Sequence, residues 1–403
     1  MSFELTEEHE EVERAVREFG EREIAPRIRE LDEQGVYDPS IWRTMGDLGL
    51  LGVCIPRKYG GSGMDYVALG IVSEELEYVD TSLRVYISVH VGLNCMTLLT
   101  WGSPDQIEQH LVPQARGERL ATYALTEPNA GSDAVGMQSV ALPEGDHYRL
   151  SGEKTWISLA DVCDSFITFA WTDLEKKRER DHSGISAFIV EREWQGVTTG
   201  TLKGKLGVRA GNTGWISFQD VAVPKANLVG EEGEGFKIAM SALDQGRYTV
   251  AAGATGLIRA SRDASVKYSL ERETFGGPIA KHQLVKEMIA EMEVGYQTSR
   301  LLWLRCGFMK NRGERNTRET SLAKLVATVQ SERASSDAVQ IHGAYGFSNE
   351  YPAERFFRNC KGAIIYEGTR EIHKLMQADY LLGYRVDRPA RRSLPPYDPA
   401  AWS

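Results

Sequence analysis

Cysteine is scarce and scattered in this chain. Cys54, Cys95, Cys163, Cys306 and Cys360 are the five in 403 residues, and none forms a CxxC pair. Neither a zinc site nor a disulfide frame is expected, and the thiols are predicted to be buried and free. No stretch approaches the roughly 18 to 20 uninterrupted apolar residues of a membrane span, and charge from Glu4 onward does not suit a signal peptide. The expected setting is the cytoplasm, or the mitochondrial matrix in a eukaryote, without membrane contact. Basic excess is missing too: the formal net charge is −10. Phosphate neutralisation dominates nucleic-acid affinity, so nucleic acid is not an expected partner. The one basic cluster, Lys176 to Arg180, is interrupted by Glu179 and reads as a solvated loop. Also absent are GxGxxG after a strand, GxxxxGK[ST], HExxH and GxSxG, which removes the common nucleotide, metalloprotease and hydrolase signatures; no metal ligand set is expected.

The composition, 42% hydrophobic and 26% charged, is that of an ordinary globular protein long enough for two or three domains. Val12, Val16, Phe19 and Ile24 recur at helical spacing, and Pro26 bends the chain. Ile41 to Leu50, Tyr66 to Val79 and the almost wholly apolar Leu83 to Leu99 read as further helices, giving a helical domain over 1–120. From Ala121 the texture changes. Ser165–Trp171, Ile185–Val190 and Trp215–Phe218 are short, β-branched and aromatic, and predict an antiparallel sheet domain over 121–233. Phe236 to Leu270, His282 to Met309 and Thr320 to Ile341 are longer than average helices and predict a bundle over 234–385. A Pro-rich tail, 386–403, follows; its Leu394, Tyr397 and Trp402 are expected to pack on a neighbouring surface.

One carboxylate stands out. Glu367 follows the apolar run Ala363-Ile364-Ile365 and precedes Gly368. In an apolar pocket its charged form is disfavoured and it becomes a stronger base, suited to removing a proton next to a carbonyl. Alternatively it is an acid at the N-terminus of a helix over Arg370–Met376. The turn Leu125-Thr126-Glu127-Pro128-Asn129-Ala130-Gly131-Ser132-Asp133 could cradle carbonyl or phosphate oxygens through main-chain N–H groups, or be a structural Asx turn. In a helix spanning Glu74 to Leu93, Glu77, Arg84 and Ser88 share one face.

The 125–133 turn resembles the first signature of the acyl-CoA dehydrogenases, flavoenzymes that desaturate acyl-CoA thioesters between the α and β carbons. Gly152–Ser158, Lys205–Arg209, Arg272–Gly276 with Gln283, Gln340–Gly346 and Tyr366–Thr369 fall into the family's order, and the similarity runs from Glu4 to Leu382. It implies an α+β fold: N-terminal helices, a middle β-sheet and a C-terminal four-helix bundle. It implies FAD, with its ring against Tyr123, Leu125, Thr126, Trp156, Ile157 and Ser158 and further contacts from Gly131, Ser132 and Thr369. Arg272, Thr274, Phe275, Gln283, Gln340 and Gly343 are expected to hold the adenosine diphosphate half of a FAD bound mainly by another subunit, in a homotetramer built as a dimer of dimers. Glu367 is expected to take the α-proton as the β-hydride leaves to flavin N5, with electrons passing on to an electron-transferring flavoprotein. Substrate contacts fall to Arg84, Ser88, Ser132, Arg247, Tyr366 and Gly368. Some relatives place the base on an earlier helix, near Gly246, which has no carboxylate here. Ser158 stands where most members have Thr, and Ala344 and Glu371 depart from the usual Gly and Gln.

The stretch Glu75–Arg84 is similar to that of glutaryl-CoA dehydrogenases, where the matching Arg binds the distal carboxylate of the substrate; Tyr366 fits the same subfamily. A glutaryl-type dicarboxylic acyl-CoA is therefore the favoured substrate. A butyryl-type enzyme, with Arg84 paired to Glu77, is the alternative. An acyl-CoA oxidase is a further one; nitroalkane-oxidising relatives use Asp as base.

Overall fold

The structure, a computed structural model, describes residues 4–387 and 391–402; Pro389 of the predicted tail lies outside them. Helices form both ends of the chain and a sheet forms its middle. Near the N-terminus, Thr6 caps the Glu7–Phe19 helix and accepts from the His9 N–H. Asp65 caps Tyr66–Val79 in the same way, accepting from the Ala68 N–H at 2.9 Å. The expected helix from Glu74 to Leu93 is broken at Asp80, whose extended backbone (φ −162°) ends one helix while its carboxylate accepts from the Ser82 N–H and opens the next. The segment Thr81–Trp101 is long and apolar enough to cross a membrane, yet 89% of its apolar window is buried inside the molecule. It is a core element.

The sheet comprises β1 (Ala121–Ala124), β2 (Val140–Glu144), β3 (His147–Ser158), β4 (Ser165–Trp171), β5 (Ile185–Glu191), β6 (Val197–Thr201), β7 (Thr213–Pro224) and β8 (Leu228–Val229), in the order β6-β7-β3-β2-β4-β5-β8 with β1 on β4. It is mixed, not antiparallel as expected. β1 pairs parallel to β4, Ala121 opposite Ser165, and β2 touches β4 in parallel at Val140 and Trp171. β5 occupies the other edge of β4, so β1 and β2 lie end to end along one edge. The chain between them, 125–139, is looped out, and this excursion presents the 125–133 turn. The Lys176–Arg180 cluster is not a loop: Leu174–Glu179 is a short solvated helix capped by Asp173.

Gly235–Glu271, Gln283–Asn311 and Thr317–His342 form the long members of the bundle, joined by Ala353–Ile365 and Arg370–Leu382. Gly235–Glu271 packs directly on Tyr66–Val79; at Gly256 a Cβ would collide with the Glu74 carbonyl, so only glycine permits that approach. Buried ion pairs cross the same seam, with Arg259 2.7 Å from Glu75. The tail returns over the N-terminal helices. Tyr66 donates to the Pro395 carbonyl at 2.7 Å, Arg392 to that of Trp101 at 2.9 Å, and Trp402 is buried against the rings of Tyr66 and Tyr397. All five cysteines are buried and free.

Candidate active site

Glu367 lies in the short link between Ala353–Ile365 and Arg370–Leu382, in the left-handed region at φ +55° and followed by Gly368 at φ +99°. It is not a helix cap: Thr369 holds that place and accepts from the Ile372 N–H. The side chain points instead at Gly235–Glu271, where a Cβ at Gly246 would fall inside the carboxylate. Its Oε2 is shut off from solvent and has no hydrogen-bond partner among the described residues. Burial raises the Glu367 carboxyl above its ordinary value, and the opposing pull of Arg84, Lys324 and Arg247 does not cancel it.

Arg84, fully buried, forms the floor. Its Nε lies 2.6 Å from Glu77 Oε2, its Nη1 donates to Ser88 Oγ at 3.1 Å and its Nη2 to the Tyr366 hydroxyl. Glu77 and Arg84 meet across the break at Asp80, so the pair belongs to two helices rather than to one helical face. Thr249 touches the Ser88 hydroxyl, and a Cβ at Gly253 would collide with Glu77 and Arg84. Around Glu367 every carbonyl is held by a buried cation. Arg247 Nε donates to the Glu367 carbonyl at 3.0 Å, while Lys324 Nζ donates to those of Tyr366 and Gly368 at 2.8 and 2.6 Å. Arg247, expected to touch substrate, is thus engaged with the loop and with Asp244 at 3.2 Å.

The sheet borders this pocket. Tyr123, on β1, is buried, donates to the Ala239 carbonyl and feels the charge of Glu367. The 125–133 turn is braced from beneath: buried Lys154 bridges Glu127 Oε1 at 2.8 Å and the carbonyls of Leu125 and Phe169, and the Thr126 carbonyl accepts from the Thr155 N–H. Thr126 and Leu125 are half-buried, whereas Gly131 and Ser132 are exposed. A bulge between Thr155 and Ile157 places Trp156 at φ +58° and turns its ring out, 64% exposed, while Ile157 stays buried and the Ser158 carbonyl accepts from Thr122.

The other predicted residues lie apart, at the end of the bundle. Arg272 sits over the Tyr345 ring, Thr274 Oγ1 is 3.4 Å from His282, and Phe275 is 98% exposed at φ +49°. Gln283, Gln340 and Gly343 are exposed; Glu371, in the first turn of the helix that leaves the Glu367 loop, pairs with its neighbour Arg370 at 2.8 Å. Sequence reasoning missed Lys324. Its only signal is its place in a stripe of small buried residues, Ser321, Ala327, Thr328 and Ser331.

Three family models cover nearly the whole chain: the acyl-CoA dehydrogenase N-terminal domain over residues 6–118, its middle domain over 122–221 and its C-terminal domain over 233–382. The chain belongs to the acyl-CoA dehydrogenase family. It is 39% identical over 381 residues to a mitochondrial short-chain specific acyl-CoA dehydrogenase of Rattus norvegicus, covering 94% of this chain and 92% of that one. Butyryl-CoA dehydrogenase from Megasphaera elsdenii superposes with a TM-score of 0.92 at 38% identity, over 95% of this chain and all of that one. The glutaryl-CoA complex of a glutaryl-CoA dehydrogenase gives the same TM-score at 36% identity, over 96% and 98%.

The protein is an acyl-CoA dehydrogenase, an FAD-dependent oxidoreductase acting on a CH–CH bond, and its residues fit that cofactor. At the sheet edge, the outturned Trp156 ring, the Ser158 hydroxyl and the open space around Gly131 suit a flat ring system. At the bundle end, Arg272 has no carboxylate partner among the described residues, and space is open beside Gly343 and Gly276. That donor set suits a diphosphate.

Proposed function

We propose that this acyl-CoA dehydrogenase acts on a short acyl-CoA thioester, a glutaryl-type dicarboxylic one being favoured, with Glu367 as the base that takes the α-proton. The observation that carries the reading is Arg84: a buried guanidinium beside the base, with three of its N–H groups engaged by Glu77, Ser88 and Tyr366. A guanidinium has five such donors, so two remain to pair with a substrate carboxylate. The raised Glu367 holds a proton well enough to remove one next to the thioester carbonyl. We assign the Glu367 N–H as one donor to that carbonyl, whose developing negative charge it would stabilise. FAD, when bound, would supply the oxidising equivalent for loss of the β-hydride; Trp156 and Ser158 are the residues we assign to its ring, with Tyr123, Leu125, Thr126, Ile157 and Thr369 around it and Gly131 and Ser132 at the turn. Ser132 and Gly368 complete the substrate contacts.

Arg272, Thr274, Phe275, Gln283, Gln340 and Gly343 we assign to the diphosphate half of a neighbouring subunit's cofactor. Large exposed apolar side chains support a homotetramer: Leu270, Phe275, Leu284, Phe347, Leu381 and Leu382 all lie on the bundle. Domain limits at 120, 233 and 385, an electron-transferring flavoprotein as acceptor and a cytoplasmic or matrix setting complete the reading. A second reading, a butyryl-type enzyme, is favoured by the Glu77 carboxylate, which already neutralises Arg84.

Anaerobic titration with glutaryl-CoA and with butyryl-CoA, followed by the flavin absorbance band, separates the two. Rapid bleaching by glutaryl-CoA alone, lost in Arg84→Ala, is the expected result. Bleaching by butyryl-CoA alone would make Arg84 structural, and bleaching by neither would overturn the assignment of Glu367.

A further inference from the structure

The Glu367 backbone is in a conformation that a residue with a Cβ seldom adopts, and such strain persists only where the surroundings over-determine it. Those surroundings are specific here. Lys324 comes from the first third of Thr317–His342, is fully buried, and has two of its three ammonium donors on the carbonyls immediately before and after that of Glu367, at 2.8 and 2.6 Å. A lysine costs several kcal/mol to bury as an ion unless paired, yet no carboxylate lies within ion-pair distance of Nζ among the described residues. Two main-chain carbonyls are its partners. Arg247 takes the intervening carbonyl, but is also tied to Asp244, which accepts from Thr317 at 2.6 Å. Lys324 is therefore the cation committed to the loop alone.

We propose that Lys324 is the positioning residue of the general base: by gripping the carbonyls of Tyr366 and Gly368 it fixes the left-handed Glu367 backbone and so the direction in which the carboxylate leaves the loop. The same ammonium sits close enough to attract the Glu367 carboxylate, which favours the ionised base against the burial that disfavours it. The other charged and titratable groups facing the carboxylate are Arg84, Arg247, Tyr123 and Tyr366, with His373 beneath Gly368. Burial lowers both Lys324 and His373, and Ser321 holds His373 at 2.8 Å. None of the other groups bonds the carbonyls on both sides of the base.

The inference rests on Glu367 being the base, so the test includes Glu367→Gln. The FAD-loaded full chain, with whichever thioester reduces it, is compared as wild type, Lys324→Met and Glu367→Gln in anaerobic single-turnover experiments across pH, with rates expressed per bound flavin. Expected for Lys324→Met is a loss of at least about 30-fold in the reduction rate at saturating thioester, with thioester Kd changed less than threefold, and an acid limb moved to higher pH because a cation beside the base is gone. Failure of any of these three overturns the proposal, provided Glu367→Gln is inactive. If Glu367→Gln keeps the wild-type rate, the assignment of the base itself fails. Should Lys324→Met not fold, Lys324→Gln, which keeps a donor for one carbonyl and loses the charge, is expected to lose about tenfold in rate with the same limit on Kd and the same direction of acid-limb shift, and failure of any of these overturns the proposal.

Discussion

The pocket around Glu367 and the end of the bundle around Arg272 are built on opposite principles. In the pocket every cation is anchored to the protein: Arg84 to Glu77, Ser88 and Tyr366 with two donors to spare, Arg247 to Asp244 and a carbonyl, Lys324 to two carbonyls. Among the described residues, two buried polar atoms of the pocket are left without a hydrogen bond, the acidic oxygen Glu367 Oε2 and His373 Nε2. At the bundle end the reverse holds: Phe275 and Phe347 are exposed, and Arg272 lies over an aromatic face with no carboxylate partner among the described residues. A rigid, pre-paired site suits proton transfer, which needs a base in one orientation. An open, apolar and cationic surface is one that another molecule must complete.

The largest expected effect tests the pocket. Glu367→Gln keeps shape and removes basicity, and should slow thioester-driven flavin reduction by about 10³-fold while melting temperature and FAD content stay at wild-type values. In the unmodified enzyme the rate should rise with pH, because only the ionised base accepts a proton. Burial holds the Glu367 carboxyl above the ordinary carboxylate range, so the rate is lost, on lowering the pH, at a higher value than for an exposed glutamate. A rate independent of pH from 5 upward would contradict a buried base.

The bundle end should respond in the other measurement. Arg272→Ala removes a diphosphate-type donor from an exposed position, so FAD affinity should fall about tenfold, equivalent to ~1.4 kcal/mol, while the fully loaded enzyme keeps its reduction rate. Phe275→Ala should weaken subunit association, seen by sedimentation at low concentration. If instead either variant slowed reduction in the loaded enzyme and left FAD affinity unchanged, the division between the two regions would collapse.

Much of this division was legible in the sequence. The long helices lie within a few residues of their expected limits because their apolar periodicity persists over many turns. Glu367 was conspicuous as a lone acid in an apolar run. Alternation marks a strand but says nothing of its neighbour's direction, so the antiparallel expectation fails at β1, whose parallel pairing with β4 follows from a loop that sequence cannot route. A shared helical face for Glu77, Arg84 and Ser88 is what a continuous helix predicts; Asp80 breaks that helix, and Glu77 meets Arg84 across the break. Lys324 carries no comparable signal, because a lysine inside a helix ordinarily reads as solvated. Only the fold reveals that its partners are two carbonyls more than forty positions away.

The smallest expected effect concerns a segment belonging to neither region. The tail crosses the N-terminal helices, with Trp402 buried on Tyr66 and Arg391 paired to Glu231 and Glu234 at 2.6 and 2.9 Å. Trp402→Ala removes a large packed ring and should cost about 3 kcal/mol, read as a fall of a few degrees in melting temperature for a chain of this size. Trp402 touches neither Glu367 nor Arg272, so the reduction rate and FAD affinity should stay within twofold of wild type. Arg391 is different in kind: it is nearly half exposed and its partner Glu231 more so, while its other partner Glu234 is buried, so Arg391→Ala should lower the melting temperature less than Trp402→Ala. A tail variant that altered the pH dependence of reduction would show that the strap reaches the base through the helix beginning at Gly235, and the pocket would then not be the self-contained unit its hydrogen bonds describe.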